Sequence, residues 1–115
     1  MPKSINGQVH TLKKHYVEGR GYMECTEAVY AKLLGRRSHQ IRQERGLEPK
    51  ANVRDNLTTA ELSFVMAAEA LAAERIEQEI RLGNDECIEA SAKSALAIKG
   101  AIDSDRRDRQ ARLTE

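Results

Sequence analysis

The chain has 115 residues, of which 32% are charged and only 3% are aromatic. This length fits a single helical domain over residues 1–115, and a composition rich in Ala, Glu, Arg, Leu and Lys favours an all-α fold. With so few aromatic side chains, the hydrophobic core of a monomer must be built from small side chains. We therefore expect self-association to add buried apolar surface. No apolar run approaches the roughly 18 residues that span a membrane, which predicts a cytoplasmic protein without a membrane segment.

The formal net charge of +1 conceals a difference between the two halves of the chain. Residues 1–50 hold ten Lys or Arg against five Asp or Glu, whereas residues 51–115 hold nine against thirteen. The first half therefore carries a charge of +5 and the second half −4. A basic first half is suited to nucleic acid or to an acidic protein surface.

The first predicted elements are short. Residues 1–21 are polar and predict a loosely ordered segment with one weakly amphipathic helix. A stronger helix signal follows, because Thr26 is a good N-cap and Gly35 a good stop. Ser38 can begin a second short helix that ends at Gly46. The apolar side chains at helical spacing in these two helices are Val29, Tyr30, Leu33, Leu34 and Ile41.

Two long helices are predicted after them. Thr58 and Glu61 form a capping-box pattern, in which a threonine hydroxyl and a glutamate carboxylate satisfy free amides at a helix start. This predicts the longest helix, over residues 58–82. A last helix over residues 86–102 is expected to fold back on it as a long antiparallel hairpin, and the charged residues 103–115 are expected to be frayed.

The predicted long helix carries apolar side chains on two faces, whereas a surface helix needs only one. Either the helix is central in the domain or its second face is shared with another subunit, and the thin core favours the shared arrangement. Small alanine faces let helices approach closely, so the hairpin is expected to build a homodimer or homotetramer. The predicted oligomer interface consists of Phe64, Ala68, Leu71, Ile76 and Ile80.

No pattern in the sequence predicts catalysis. The three histidines are scattered, GRG at residues 19–21 is a lone glycine fragment, and the charges of residues 74–81 are typical of a solvated helical face. Cys25 and Cys87 lack metal-binding spacing, which predicts two reduced thiols packed as small apolar residues. We therefore expect no enzyme, no metal site and no cofactor.

Arginines cluster in the second short helix and the turn before it. The segment partly fits a helix-turn-helix, since Ala31 lies four residues before Gly35 and Ile41 six residues after it. Glu44, however, occupies the place where that motif packs a second apolar side chain. The cluster is therefore a candidate surface for a protein partner, with DNA contact and simple solvation as the alternatives. Its residues are Arg36, Arg37, His39, Arg42 and Arg45.

An ordered set of residues runs through this region and into the long helix. It comprises Tyr30, Leu34, Gly35, Arg45, Gly46, Leu47, Asp55, Thr59, Glu61, Leu62 and Glu69. This order resembles the C-terminal half of the DNA-damage-inducible protein D family and of related phage regulatory proteins. Longer members of that family carry an additional N-terminal domain, for which this sequence has no counterpart.

The resemblance implies a bacteriophage or prophage context and the SOS response. A small helical protein in that setting resembles an antirepressor, which binds and inactivates a phage repressor protein and so triggers prophage induction. The alternative is a small helix-turn-helix-like DNA-binding regulator or a modulator of the DNA-damage response. The implied partner is thus a phage repressor, with the protein itself as the second partner in a homo-oligomer.

Overall fold

The structure, a computed structural model, describes residues 6–114, and side chains from residue 9 onward. Over these residues the chain is helical and contains no strand, so the predicted all-α class is confirmed. No described helix is long and apolar enough to cross a membrane. The α-helices are α1 Asn6–Lys14, α2 Gly21–Leu33, α3 Ser38–Glu44, α4 Thr59–Glu79 and α5 Gly83–Leu113, and a 3-10 turn at Arg54–Asn56 precedes α4.

The start of α4 follows the sequence pattern closely. The Thr58 hydroxyl accepts a hydrogen bond from the Glu61 backbone N–H at 3.1 Å. In return, the Thr58 backbone N–H donates to the Glu61 carboxylate at 2.8 Å. The predicted capping box is therefore confirmed, and it holds two of the amides that no helix carbonyl can reach.

The end of α4 differs from the prediction. The helix stops because Ile80 takes a left-handed conformation (φ 53°, ψ 53°), and Gly83 (φ 82°) begins α5 instead of ending α4. A left-handed β-branched residue is strained, so other contacts must hold it. The His15 ring Nδ1 lies 2.8 Å from the Arg81 carbonyl, and the Gly83 N–H donates to the His15 carbonyl at 2.9 Å. These two bonds fix the connection after α4.

The N-terminal segment is more ordered than its composition predicts. Within α1 and the turn after it, Leu12 and Val17 are 1% and 3% exposed. The Thr11 hydroxyl donates to Glu77 at 3.3 Å, which ties α1 to the end of α4. Of the segment predicted to be loosely ordered, residues 1–5 lie outside the described part of the chain.

The last helix is longer than predicted. Instead of ending near residue 102, α5 continues to Leu113. Lys99 Nζ lies 2.7 Å from Asp103, and Arg109 Nε lies 2.9 Å from Asp105. Such pairs, four residues apart, support a helix by a few tenths of a kcal/mol each, about 0.2–0.5. The dense charges of residues 103–115, which predicted a frayed end, therefore include ion pairs at a spacing of four residues that favours helix. The segment beyond Asp103 is exposed.

Two clusters of buried side chains form the core. The tyrosine cluster contains Val29, Tyr30, Leu33, Ile41, Val53, Val65, Ala68 and Ala95. The cysteine cluster contains Leu12, Val17, Cys25, Ile76, Cys87 and Ala90. Helices α2, α4 and α5 contribute to both clusters, so these three helices form the body of the domain.

The main partner of α5 is α2, and α4 is its second partner. At the crossing, a Cβ on Gly21 would lie 2.2 Å from Asn84 Oδ1, so only glycine fits there without displacing the amide. That amide is itself engaged, because it accepts from the Glu18 N–H at 2.9 Å and donates to the Glu18 carbonyl at 3.1 Å. The sequence pattern did not reveal this contact between α2 and α5.

The predicted oligomer interface divides into two groups. Ala68 and Ile76 are completely buried within a single chain, because α1, α2 and α5 all pack against α4. These two side chains belong to the intrachain core and are not exposed to a second subunit. Phe64 and Leu71 are only partly buried, and Ile80 is 69% exposed. The part of the interface that is accessible thus consists of these three residues.

Candidate functional site

We call the set Arg36, Arg37, His39, Arg42 and Arg45 the arginine surface. It lies on α3 and on the turns at both ends of that helix. Gly35 takes the left-handed conformation (φ 78°) that lets the chain reverse between α2 and α3. Ile41, 1% exposed, anchors α3 to the tyrosine cluster, so the polar side of this helix faces outward.

The arginines before α3 are bound by carboxylates of the same chain. Arg36 Nε lies 2.5 Å from Glu44, and Arg36 Nη1 donates to the Leu34 carbonyl at 2.8 Å. The Arg37 guanidinium lies 3.4 Å from Glu27 and 3.5 Å from Glu24. The positive charges of this turn are therefore paired and are not a free basic patch.

Arg45 links the end of α3 to the start of α4. Its Nη2 donates to Glu61 at 2.6 Å, and its Nη1 donates to the Asn56 carbonyl at 2.7 Å. The hydrogen bond from Arg45 lowers the pKa of Glu61, with a further contribution from the Thr58 amide. Glu61 thus serves both the capping box and this ion pair.

Two members of the arginine surface have no carboxylate partner among the described residues. Arg42 Nε donates to the Ala51 carbonyl at 2.8 Å, which fixes its guanidinium over the loop before the 3-10 turn. His39 is exposed and makes no ion pair. The surface as a whole therefore presents alternating arginine and glutamate side chains, with free donors at these two positions.

The arrangement of α2, the turn and α3 meets one requirement of a helix-turn-helix and misses another. Ile41 is buried at the place where the motif needs an apolar side chain. Glu44 is exposed and paired with Arg36, so the second apolar position of the motif is not filled. The helix itself has only seven residues. Little of α3 is therefore available to enter a DNA groove.

A groove of about 480 Å³ lies beside the arginine surface, between the end of α2, the start of α4 and α5. Apolar side chains of Leu34, Phe64 and Ile102 line it, and Arg36 and Arg106 stand at its polar side. Leu34, Phe64 and Ile102 also pack against the tyrosine cluster from outside. Phe64, predicted as an interface residue, lines this groove and also an adjoining pocket along α5 that includes Ala101 and Arg109.

A buried ion pair joins Arg54 and Glu69, and the sequence pattern does not predict it. The Glu69 residue is 1% exposed, yet its carboxylate binds the Arg54 guanidinium directly. Glu69 Oε1 and Arg54 Nη1 are buried with no hydrogen-bond partner among the described residues. Burial raises the pKa of Glu69, and the arginine opposes part of that rise. The only sequence signal was a glutamate in line with the apolar side chains of α4.

The two thiols belong to the cysteine cluster. Cys25 and Cys87 are buried and free, as the sequence predicts. Burial raises the pKa of Cys25 to about 11, so its thiolate form is scarce at neutral pH. Within the described part of the chain, no three His, Cys, Asp or Glu side chains are placed to hold a metal ion.

Comparison with known proteins adds no relative to this picture. The chain matches no protein-family model, and no curated protein is similar to it. The resemblance to the DNA-damage-inducible protein D family therefore stays a prediction, and the case for a function depends on the residues themselves.

Proposed function

We propose that this protein is a phage antirepressor, which binds a phage repressor protein through the arginine surface and so triggers prophage induction. It acts in the cytoplasm of a bacterial host, without catalysis and without a cofactor. The mechanism is mass action: a partner that binds the DNA-incompetent form of the repressor lowers the population that occupies the operator. The family resemblance supplies the biological context for this proposal.

The observation that carries the proposal is the intrachain pairing of the arginines. DNA presents a continuous row of negative charge, so a DNA-binding surface gains affinity from unpaired Lys and Arg that release counterions. Here Arg36, Arg37 and Arg45 each contact a glutamate of their own chain. A surface of alternating charges is better matched by another protein, whose carboxylates and guanidinium groups can interleave with it.

The neighbouring groove supports the same conclusion. Protein interfaces combine a central apolar pocket with a polar rim. The groove at Phe64 and Ile102 lies next to Arg36, which belongs to both features. An apolar side chain of the repressor would enter the groove while polar groups meet the arginine surface.

The proposal includes self-association through a hairpin of α4 and α5. Ile76 packs with Cys87 and Ala90, whereas Val65 and Ala68 pack with Ala95, as expected for helices that run in opposite directions. The residues still accessible for a dimer or tetramer contact are Phe64, Leu71 and Ile80. Light scattering at micromolar concentration should give a mass above 12.9 kDa, and a monomer would refute this part.

Direct DNA binding is the second candidate. The observation in its favour is the burial of Ile41 after a left-handed glycine, which places α2 and α3 in the order of a helix-turn-helix. In that case the purified protein alone should shift an operator fragment, and its affinity should fall steeply as salt rises.

The test begins with co-purification of the tagged protein from an induced lysogen, which identifies the bound repressor by mass. The purified protein should then abolish the electrophoretic shift that this repressor gives with its operator. His39→Glu combined with Arg36→Gln should weaken the inhibition about tenfold or more, because truncation at an interface centre costs over 1 kcal/mol.

The matched control is His10→Glu combined with Arg112→Gln, which makes the same charge changes at exposed positions away from the arginine surface. It should inhibit as well as the wild type. If the protein shifts the operator by itself at physiological salt and leaves the repressor complex intact, it is a DNA-binding regulator and the antirepressor proposal is wrong.

A further inference from the structure

A second pocket, of about 340 Å³, lies between α2, α3 and the loop before the 3-10 turn. Its lining is rich in hydrogen-bond donors and contains no carboxylate. Thr26, Tyr30 and Ser38 supply hydroxyl groups, and Arg42, Lys50 and Arg54 supply cations. A pocket with this lining is suited to an anion.

Tyr30 is the most informative of these residues. It is only 3% exposed, yet its hydroxyl makes no hydrogen bond to any described residue and is not sealed away from the pocket. A buried tyrosine hydroxyl normally has a partner, since leaving it unpaired is unfavourable. Tyr30 therefore offers an unused donor at the base of the pocket, held in place by the tyrosine cluster.

The charges around the pocket determine which anion fits. Arg54 is neutralised by Glu69, and Glu27, which accepts from the Ser38 N–H at 3.1 Å, is neutralised by Arg37. Arg42 uses Nε on the Ala51 carbonyl, and its two terminal nitrogens have no partner among the described residues. Arg42 and exposed Lys50 are thus two cations of the lining that no described carboxylate pairs.

We propose that this pocket binds the phosphate group of a small phosphomonoester. A phosphate monoester carries nearly two negative charges near pH 7 and three strong acceptor oxygens. Two unpaired cations balance that charge, and the three hydroxyls with the guanidinium supply enough donors for all three oxygens. A carboxylate would leave one positive charge and several donors unused. The pocket shares Arg42 with the arginine surface, but its other lining residues belong neither to that surface nor to the groove at Phe64.

The test is a titration of the full chain with inorganic phosphate, at constant ionic strength held with sodium chloride and followed by amide chemical shifts. We expect saturable shifts at residues 26, 38 and 52–54. Tyr30→Phe removes one oxygen and keeps the ring, and it should weaken phosphate binding about tenfold or more, as expected for one hydrogen bond to a charged group. Lys50→Gln should weaken it by a similar factor, because Lys50 is one of these two cations.

Two matched variants serve as controls. Tyr22→Phe removes a hydroxyl from a tyrosine beside the cysteine cluster, and Lys32→Gln removes an exposed lysine of α2 outside the pocket. Both should bind phosphate like the wild type. If all four variants bind equally, or if no saturable shift occurs in the wild type at millimolar phosphate, the proposal is wrong.

Two further ligands test which kind of anion the pocket binds. Acetate should shift the same amides much more weakly than phosphate, and equal affinity would overturn the assignment to phosphate. A short DNA duplex of arbitrary sequence carries phosphodiesters with one charge each and should not displace inorganic phosphate from the pocket. Displacement that Tyr30→Phe abolishes would show that the pocket is a nucleic-acid contact, which also overturns the proposal of a small ligand.

Discussion

Two arginine–glutamate pairs connect the loop before α4 to that helix, and their glutamates lie two helical turns apart. Glu61 pairs with Arg45 near the surface, where 26% of its side chain is exposed. Glu69 pairs with Arg54 in the interior, where 2% of its side chain is exposed. The pKa of Glu61 is lowered by its arginine, whereas burial raises the pKa of Glu69. The pKa of the glutamate therefore shifts in opposite directions in the two arginine–glutamate pairs. The reason is that removing the carboxylate charge from water costs more for buried Glu69 than for partly exposed Glu61.

The largest expected effect comes from breaking the buried pair. Glu69→Ala should destabilise the fold by about 3–5 kcal/mol, because the Arg54 guanidinium would lose its partner while it remains buried. Urea unfolding followed by circular dichroism measures the difference. The control is Glu74→Ala on the exposed side of the same helix, which should change stability by less than about 0.5 kcal/mol.

Replacing one partner leaves the other charge buried and unpaired, whereas replacing both partners removes the two charges together. Arg54→Met with Glu69→Leu should be close to wild type in stability, or more stable by about 1–4 kcal/mol, because two desolvated charges and two unpaired atoms disappear together. If the double variant is as unstable as Glu69→Ala, the buried pair of Arg54 and Glu69 contributes net stability. The contrast drawn with the surface pair of Arg45 and Glu61 would then be wrong.

The surface pair should matter less. Glu61→Ala should cost about 1 kcal/mol, since it removes half of a capping box together with a partly exposed ion pair. Arg45→Ala, which keeps the capping box, should cost less than Glu61→Ala in the same unfolding experiment. An equal loss in the two variants would mean that the ion pair, and not the cap, supplies most of the stability.

The smallest effect is a difference in pH dependence. The folded-state pKa of Glu61 lies below its unfolded value, so its contribution is present above about pH 4.3 and is lost as the pH falls through the folded-state pKa. Glu69 has the opposite sign, because its raised pKa makes folding more favourable below the unfolded value and less favourable as the pH rises through the folded value.

These signs predict two different profiles. Glu61→Gln should lose less stability than the wild type on acidification, and Glu69→Gln should lose more. Unfolding free energies measured between pH 3 and pH 7 give both profiles. Parallel curves for the two variants would contradict the opposite pKa shifts.

The beginning of α4 could be predicted from the sequence because its signals are local. Thr58 and Glu61 stand at capping-box spacing, and their contact involves only neighbouring backbone. The same holds for Ile41, whose position after Gly35 predicted a buried anchor. The free thiols followed from the absence of any metal-binding spacing around Cys25 and Cys87.

The rest of the site depends on contacts between distant residues. Glu69 lies in line with apolar side chains of α4, and nothing in the local pattern indicated that Arg54 would reach it. The arginine surface was predicted as a candidate partner-binding surface, but its ion pairs were not predicted, because Glu24 and Glu27 lie on a preceding helix whose packing the sequence did not reveal. The face of α4 assigned to a second subunit was partly covered by α2 and α5, which removed Ala68 and Ile76 from the predicted interface.

The docking of α1 has a consequence for the order of folding. Thr11, His15 and Glu18 each bond a residue 66 positions later in the chain, near the connection of α4 to α5. Closing so long a loop is slow compared with forming a helix, so we expect α1 to assemble last. On the ribosome, this segment must wait until residue 84 has emerged before it finds its partners. In the finished protein it should also be the first part to open, so its amides should exchange with solvent faster than those of α2.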